Sequence, residues 1–195
     1  ALLKFRGLPP EMRRSTAVKY MNDSIRLVRI GAAQLVMDID INEFEANDAA
    51  GIEAAKGELE NMLFSNTDFS TGRMQLGDYF MQTNDINNAI NHYEVAFKMD
   101  SLLIPLYSNM ATNYSLTKQM DKAESTLKTW ARINPELGRP HYLMALLYFE
   151  MGKNDAGVEA LETAIKKDPN DTRSRYNLAT YYYQDNKDVK KAEYY

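Results

Sequence analysis

The chain has 195 residues, 45% of them hydrophobic and 26% charged, and no cysteine. That length holds one sizeable domain or one solenoid, and the balance is that of a soluble globular protein. The lack of cysteine excludes disulfides, thiolate metal sites and a cysteine nucleophile, and no stretch nears the roughly 18 apolar residues that cross a membrane.

The net charge of −4 is unevenly placed. Residues 1–36 carry seven Lys/Arg and two Asp/Glu, residues 37–70 one and nine, and residues 71–195 fifteen and sixteen. The basic front end reads as a solvated helix face neutralised by the acidic segment after it. No nucleic-acid motif accompanies the charge, so no nucleic-acid partner is expected.

In chain order, Pro9 and Pro10 fit the first turn of a helix, with Glu11 near its positive end, running to about Met21. Asn22-Asp23 makes a turn, and a second helix follows over Ile25–Val36. Asp38–Glu45 reads as a linker, and a third helix spans about Asn47 to Phe64. From Ser70 a pattern returns every 34 residues. Leu76, Met110, Met144 and Leu178 share one column, and the always small Gly77, Ala111, Ala145 and Ala179 share the next. The aromatic Phe80, Tyr114, Tyr148 and Tyr182 come three residues later. Ala89, Ala123 and Gly157 are small again, Tyr93, Leu127 and Leu161 large again. Then come Ala96, Trp130 and Ala164, and last Ser101, Pro135 and Pro169.

Within each unit these residues fall at i, i+3, i+4 and i+7 on two amphipathic helices. Thr71–Thr83 and Ile86–Asp100 are the first pair. The small columns mark where antiparallel helices cross closely. Asn134-Pro135 and Asp168-Pro169 mark helix ends. One pair cannot bury its apolar face alone, so stacked neighbours bury it for each other. The chain stops inside the second helix of a fourth unit, at Lys191-Ala192 after a one-residue insertion. It therefore reads as a piece of a longer protein.

The columns over Ser70–Tyr195 resemble the tetratricopeptide repeat (TPR) family. The resemblance implies an all-α fold, a right-handed α-solenoid with a concave groove. The divisions are 70–103, 104–137, 138–171 and a truncated 172–195. Departures are Arg73, Tyr107, His141 and Arg175 where the family often has tryptophan, Trp130 for the usual alanine, and Gly157, expected to loosen its helix. The string Asp23…Val28-Arg29…Ala32-Ala33…Leu35 resembles the second half of a HEAT repeat, in which the Asp caps and the Arg ladders between units. This makes residues 1–37 a HEAT-like helical pair. Residues 38–69 are an acidic linker and a degenerate half-repeat, because Ala55, Leu59 and Met62 lie one period before Ala89, Tyr93 and Ala96.

Candidate chemistry is sparse. His92 and His141 are 49 residues apart, without a second ligand at i+3 or i+4. Asp38-Ile39-Asp40-Ile41-Asn42 mimics the start of a calcium loop, but Glu43 stands where glycine is needed and Ala49 where the bidentate glutamate belongs. There is no phosphate loop and no nucleophile elbow. The expectation is a non-catalytic chain with no cofactor and no metal.

In the TPR family, peptides lie on the inward residues of each first helix. The resemblance carries this to a partner site of Asn109, Arg139, Tyr142, Leu146, Phe149, Arg173, Tyr176, Asn177 and Tyr183. Tyr142, Phe149, Tyr176 and Tyr183 form an aromatic floor edged by the two arginines. Asn109 and Asn177 are placed to hydrogen-bond a ligand backbone. The clamp with which one subclass holds chaperone tails is mostly missing: Met74, Asp78 and Leu143 replace its residues, and only Asn109 and Arg139 match in kind. The expected function is a protein–protein interaction scaffold. Alternatives are a regulatory module of a larger sensor or enzyme, and the C-terminal region of an exported multihaem cytochrome c, whose order of helices this chain resembles. The last would make the protein exported or periplasmic.

Overall fold

The computed structural model describes residues 2–184 and 188–195. The turn carrying the expected one-residue insertion lies outside these residues. Among the described residues there are eleven α-helices and no strand. They are α1 (Pro10–Tyr20), α2 (Arg26–Leu35), α3 (Ala46–Ser65), α4 (Ser70–Gln82), α5 (Ile86–Met99), α6 (Pro105–Leu116), α7 (Met120–Ile133), α8 (Arg139–Glu150), α9 (Asn154–Lys167), α10 (Thr172–Gln184) and α11 (Val189–Tyr194). Short 3₁₀ turns at Leu2–Gly7 and Ile41–Glu43 complete the chain. It divides into two compact units, Ala1–Ser101 and Leu102–Tyr195.

In the first unit α2 is the central helix. One face buries Ala32 and Leu35 with Ala17 of α1, with Met21 just after it and with Ile52. The other buries Ile30 and Ala33 with Ala55 and Leu59 of α3 and Leu76 of α4. α4 and α5 then pair through the columns. Tyr93 is buried, and its hydroxyl donates to Asp78 at 2.6 Å.

The charge asymmetry resolves into ion pairs across these helices. Arg13 grips both Asp38 oxygens at 2.7 and 3.0 Å, and donates to the Leu35 carbonyl. Arg14 meets Glu43 at 2.8 Å. Arg29 of α2 meets Glu58 of α3 at 2.6 Å and reaches back to the Asp23 carbonyl at 2.6 Å. Asp23 itself accepts from the Ile25 N–H at the start of α2. The calcium-like stretch is thus committed to packing: Asp38 serves Arg13 and Ile39 is buried.

These contacts should make the fold acid-sensitive. The hydrogen bond from Arg13 holds Asp38 below the ordinary carboxylate range, and that from Arg29 does the same for Glu58. Burial, and then Arg73, pushes His92 below the ordinary imidazole value; burial, and then Lys167, does so for His141. A lowered folded value means that the unfolded chain takes up the proton first, so stability falls as pH falls. The histidine contribution is complete above about pH 6.5 and fades below it. The carboxylate contribution is complete above about pH 4 and is lost below that. Thermal melts from pH 8 to pH 3 should show a midpoint flat above neutrality that drops in two stages. Asp38→Asn should shrink the lower stage while lowering the midpoint at pH 7.

In the second unit, α6–α7, α8–α9 and α10–α11 are the successive pairs. Leu127, Ala145, Leu161, Ala164 and Leu178 of the columns are buried. The aromatic-column tyrosines each carry a lysine over the ring: Lys122 on Tyr114 at 5.1 Å, Lys153 on Tyr148 at 6.0 Å and Lys191 on Tyr182 at 4.9 Å. Such cation–π contacts hold the lysine stems along apolar surface. The turns inside the pairs repeat as well. Asn84, Lys118 and Gly152 all have left-handed backbone, at φ 62°, 60° and 72°.

The departures from the repeat pattern have local explanations. Trp130 stacks on Tyr107, centroids 6.2 Å apart, so the large ring has moved from the first helix of that unit to its second. Arg73 and Arg175 each reach back six residues to a loop carbonyl, Thr67 and Pro169 respectively. His92 lies flat on Phe80 at 5.3 Å, with Arg73 3.4 Å from its Nδ1.

Candidate functional site

The first helices α6, α8 and α10 carry the expected partner residues of the second unit. The structure sorts them into three settings. Leu146 of α8 lines a groove of ≈ 220 Å³ between α6 and α8. Its walls are Thr112, Ser115 and Leu116 on one side and Leu143, Leu146 and Leu147 on the other, with Ala123 and Leu127 of α7 as floor. Leu143, Leu146, Leu147 and Glu150 follow the i, i+3, i+4, i+7 rule, which puts them on one face. The groove is closed at one end by Glu150, which takes Ser115 Oγ at 2.5 Å and Lys118 Nζ at 2.6 Å. Those hydrogen bonds, Lys118 first, hold Glu150 below the ordinary carboxylate range.

Tyr176 and Tyr183 line a second cleft of ≈ 350 Å³ with Ala179, Thr180, Gln184, Val189, Ala192 and the carboxylate-bearing Glu193. They are 71% and 64% exposed, so both rings stand open to a ligand. Arg139 and Arg173 lie in the first turns of α8 and α10 and are exposed, and neither guanidinium has a partner among the described residues. Tyr142 and Asn177 are half-buried. Asn109 is half-buried on α6, where its side-chain oxygen lies 3.4 Å from Ser108 Oγ.

Phe149 is in a third setting. Its ring lies 5.5 Å from that of Tyr181 on α10. A Cβ on Gly157 would come within 2.7 Å of the Phe149 ring, so the glycine in α9 is what admits it. Phe149 therefore ties α8, α9 and α10 together and does not share the open cleft of Tyr176 and Tyr183.

Sequence reasoning did not single out Leu147, Val189 or Ala192 as lining residues. Their signal is helical spacing alone, which core and groove residues share.

Both histidines are packed elements of the helices. No group of three or more His, Cys, Asp or Glu that would hold a metal occurs among the described residues, and no helix there is long and apolar enough to cross a membrane.

Comparison with known proteins agrees with the helix pairs. Residues 142–195 match the model of the tetratricopeptide repeat. Over 103 residues the chain is 26% identical to small glutamine-rich tetratricopeptide repeat-containing protein 2 of Mycosarcoma maydis, covering 53% of this chain and 29% of that protein. The chain thus spans less than a third of this curated relative. Among solved structures, MamA of Desulfovibrio magneticus RS-1, from residue 41 to its end, aligns with a TM-score of 0.60 at 16% identity over 93% of this chain and 90% of that one. The first TPR of Spaghetti (RPAP3), solved bound to the HSP90 peptide SRMEEVD, aligns with a TM-score of 0.52 at 18% identity over 58% of this chain and 90% of that one. With the 34-residue columns and the helix pairs they build, the match shows that residues 142–195 are tetratricopeptide repeats.

Proposed function

We propose that the chain is a non-catalytic interaction scaffold that holds an extended peptide on the first-helix face of its second unit. The observation that carries this reading is the pair of exposed tyrosines, Tyr176 and Tyr183, lining an open cleft of ≈ 350 Å³. Large exposed aromatics are what interface anchors are made of, and exposed arginines at the first turns of α8 and α10 add to them. In this reading Arg139 and Arg173 meet an acidic group of the ligand. Tyr142 and Leu146 extend the apolar surface along α8, and Asn109 and Asn177 bond the ligand backbone. Phe149 supports the surface from behind.

The solved TPR bound to an HSP90 peptide supports peptide binding as a use of this fold. It does not lead here to the same ligand, because Met74, Asp78 and Leu143 stand where the tail-holding clamp needs other side chains. The expected ligand is acidic and carries an apolar or aromatic side chain.

The test is a library of seven-residue peptides displayed on phage and panned against the whole chain. The variant for comparison is Tyr176→Ala with Tyr183→Ala, because both side chains are exposed and their loss leaves the core intact. Hot-spot truncations cost about 2 kcal/mol or more. Peptides recovered on the wild type should therefore bind the double variant at least about 30-fold more weakly, with unchanged helicity. Equal binding of both proteins would reject this site.

A further inference from the structure

The acidic stretch that follows α2 holds one lysine, and the fold leaves it without a carboxylate. Lys56 lies one turn after Ile52 on α3, on the face that packs into the cluster shared by Ile52 and Ile39. Its amine turns inward and donates to the Ile39 carbonyl at 3.0 Å. Lys56 is half-buried, whereas every other lysine among the described residues is exposed. It makes no ion pair among those residues, because the carboxylates of this region serve other groups. Asp38 is held by Arg13, Glu43 by Arg14 and Glu58 by Arg29, and Glu60 accepts from the Tyr79 hydroxyl at 2.5 Å. Asp40 accepts from the Asn42 main-chain N–H and from its side-chain amide.

We propose that Lys56 is a modification site, whose amine takes an acyl group from a neutral thioester ahead of the exposed lysines. The proposal uses no residue of the site in the second unit and does not depend on what that site binds.

A lysine is a nucleophile only as the free amine, and an ammonium held out of water without a counter-ion gives up its proton more readily. Burial pushes Lys56 below the ordinary lysine range, against the pull of Asp38, Asp40, Glu53 and Glu60. The free amine still has two N–H groups, so it can keep its hydrogen bond to the Ile39 carbonyl. Lys128 is the opposite case: its hydrogen bond to Glu124, 2.6 Å away, pushes it up. In thiols, nucleophilicity falls only about half as steeply as basicity, and the same relation in amines favours the less basic one at neutral pH. The carboxylates around Lys56 repel an anionic acyl donor, which leaves a neutral thioester favoured. In the reaction the nitrogen lone pair attacks the thioester carbon. The C–N bond forms, the C–S bond breaks, and the sulfur leaves with the nitrogen's proton as a thiol. The amide retains one N–H for the Ile39 carbonyl, while the positive charge beside the carboxylates is lost.

The probe is S-acetyl-N-acetylcysteamine, added in limiting amount to the full chain at neutral pH, with acetylation at each lysine read by peptide mass spectrometry. Lys56 should acetylate at least about threefold faster than Lys128, and ahead of the exposed Lys19 and Lys166. In concentrated urea the rates should become equal, because the fold creates the difference. Acetyl phosphate, an anion, should show a smaller preference for Lys56. The proposal is overturned if Lys56 acetylates no faster than the exposed lysines of the folded chain, since burial would then shield the amine more than it activates it. A lead that persists in urea overturns it too, by placing the cause in the local sequence. An equal lead with acetyl phosphate overturns the assignment to a neutral donor.

Discussion

Gly72→Ala should destabilise the first unit by about 3 kcal/mol, the upper end of what overpacking costs. Gly72 lies in the first turn of α4, where the loop Asn66–Phe69 folds back over the helix. A Cβ on Gly72 would come within 1.9 Å of the Asn66 carbonyl oxygen and 2.6 Å of its carbonyl carbon. These are backbone atoms, so no side-chain rotation relieves the clash. The loop is also held from the other side, because Arg73 Nε donates to the Thr67 carbonyl at 2.8 Å. Gly57→Ala in α3 is the matched control: nothing lies within 4 Å of its added methyl. It should raise stability by roughly 1 kcal/mol, the helix-propensity difference between the two residues. Denaturant melts of the two variants should move in opposite directions from wild type.

Gly77→Ala should be the second costly change, by about 2 kcal/mol, even though alanine is what the other units carry in that column. The reason is the residue across the helix pair. Tyr93 stands where the other units have Leu127 and Leu161, and a Cβ on Gly77 would meet its ring at 2.5 Å. That ring is buried and anchored, because its hydroxyl donates to Asp78. Small and large have been exchanged together: glycine with tyrosine in one unit, alanine with leucine in the next two. Tyr93→Leu alone should also destabilise, by leaving a cavity. Gly77→Ala with Tyr93→Leu recreates the pairing of Ala111 with Leu127. The double variant should therefore be more stable than the sum of the two losses predicts, with a coupling of about 1 kcal/mol or more in a double-mutant cycle. Strict additivity would show that the two positions do not share one packing volume.

That exchange shows what a sequence column carries and what it hides. The columns specify which residues are buried, because a repeated structure imposes the same burial at each period. Leu76, Leu127, Leu161 and Leu178 were legible for that reason, and so were the helix ends before Pro135 and Pro169. Gly72 was not legible: its column also holds Leu106, Pro140 and Ser174, and its constraint comes from a loop that occurs once. The role of α2 escaped in the same way. The stretch from Met37 to Glu45 breaks the period, so no column linked α2 to α3 and α4. On the site, spacing placed Tyr176 and Tyr183 on one face of one helix, and they line one cleft. Phe149 has the same spacing from Tyr142, yet its ring turns to Tyr181 and Gly157. Only the glycine hinted at that, as the space a neighbouring ring would need.

The two-sided burial of α2 has a consequence for cooperativity. In an ideal repeat array each unit contacts only its neighbours, so its stability is a sum of unit terms and nearest-neighbour interface terms. Here one helix belongs to two clusters, the one around Ala17 and Ile52 and the one around Leu59 and Leu76. Neither cluster can lose α2 without the other losing it too. The first unit should therefore open as a single block from α1 to α4, and damage at Ala32 should be felt as lost amide protection at Leu76, on a helix with which Ala32 shares no cluster.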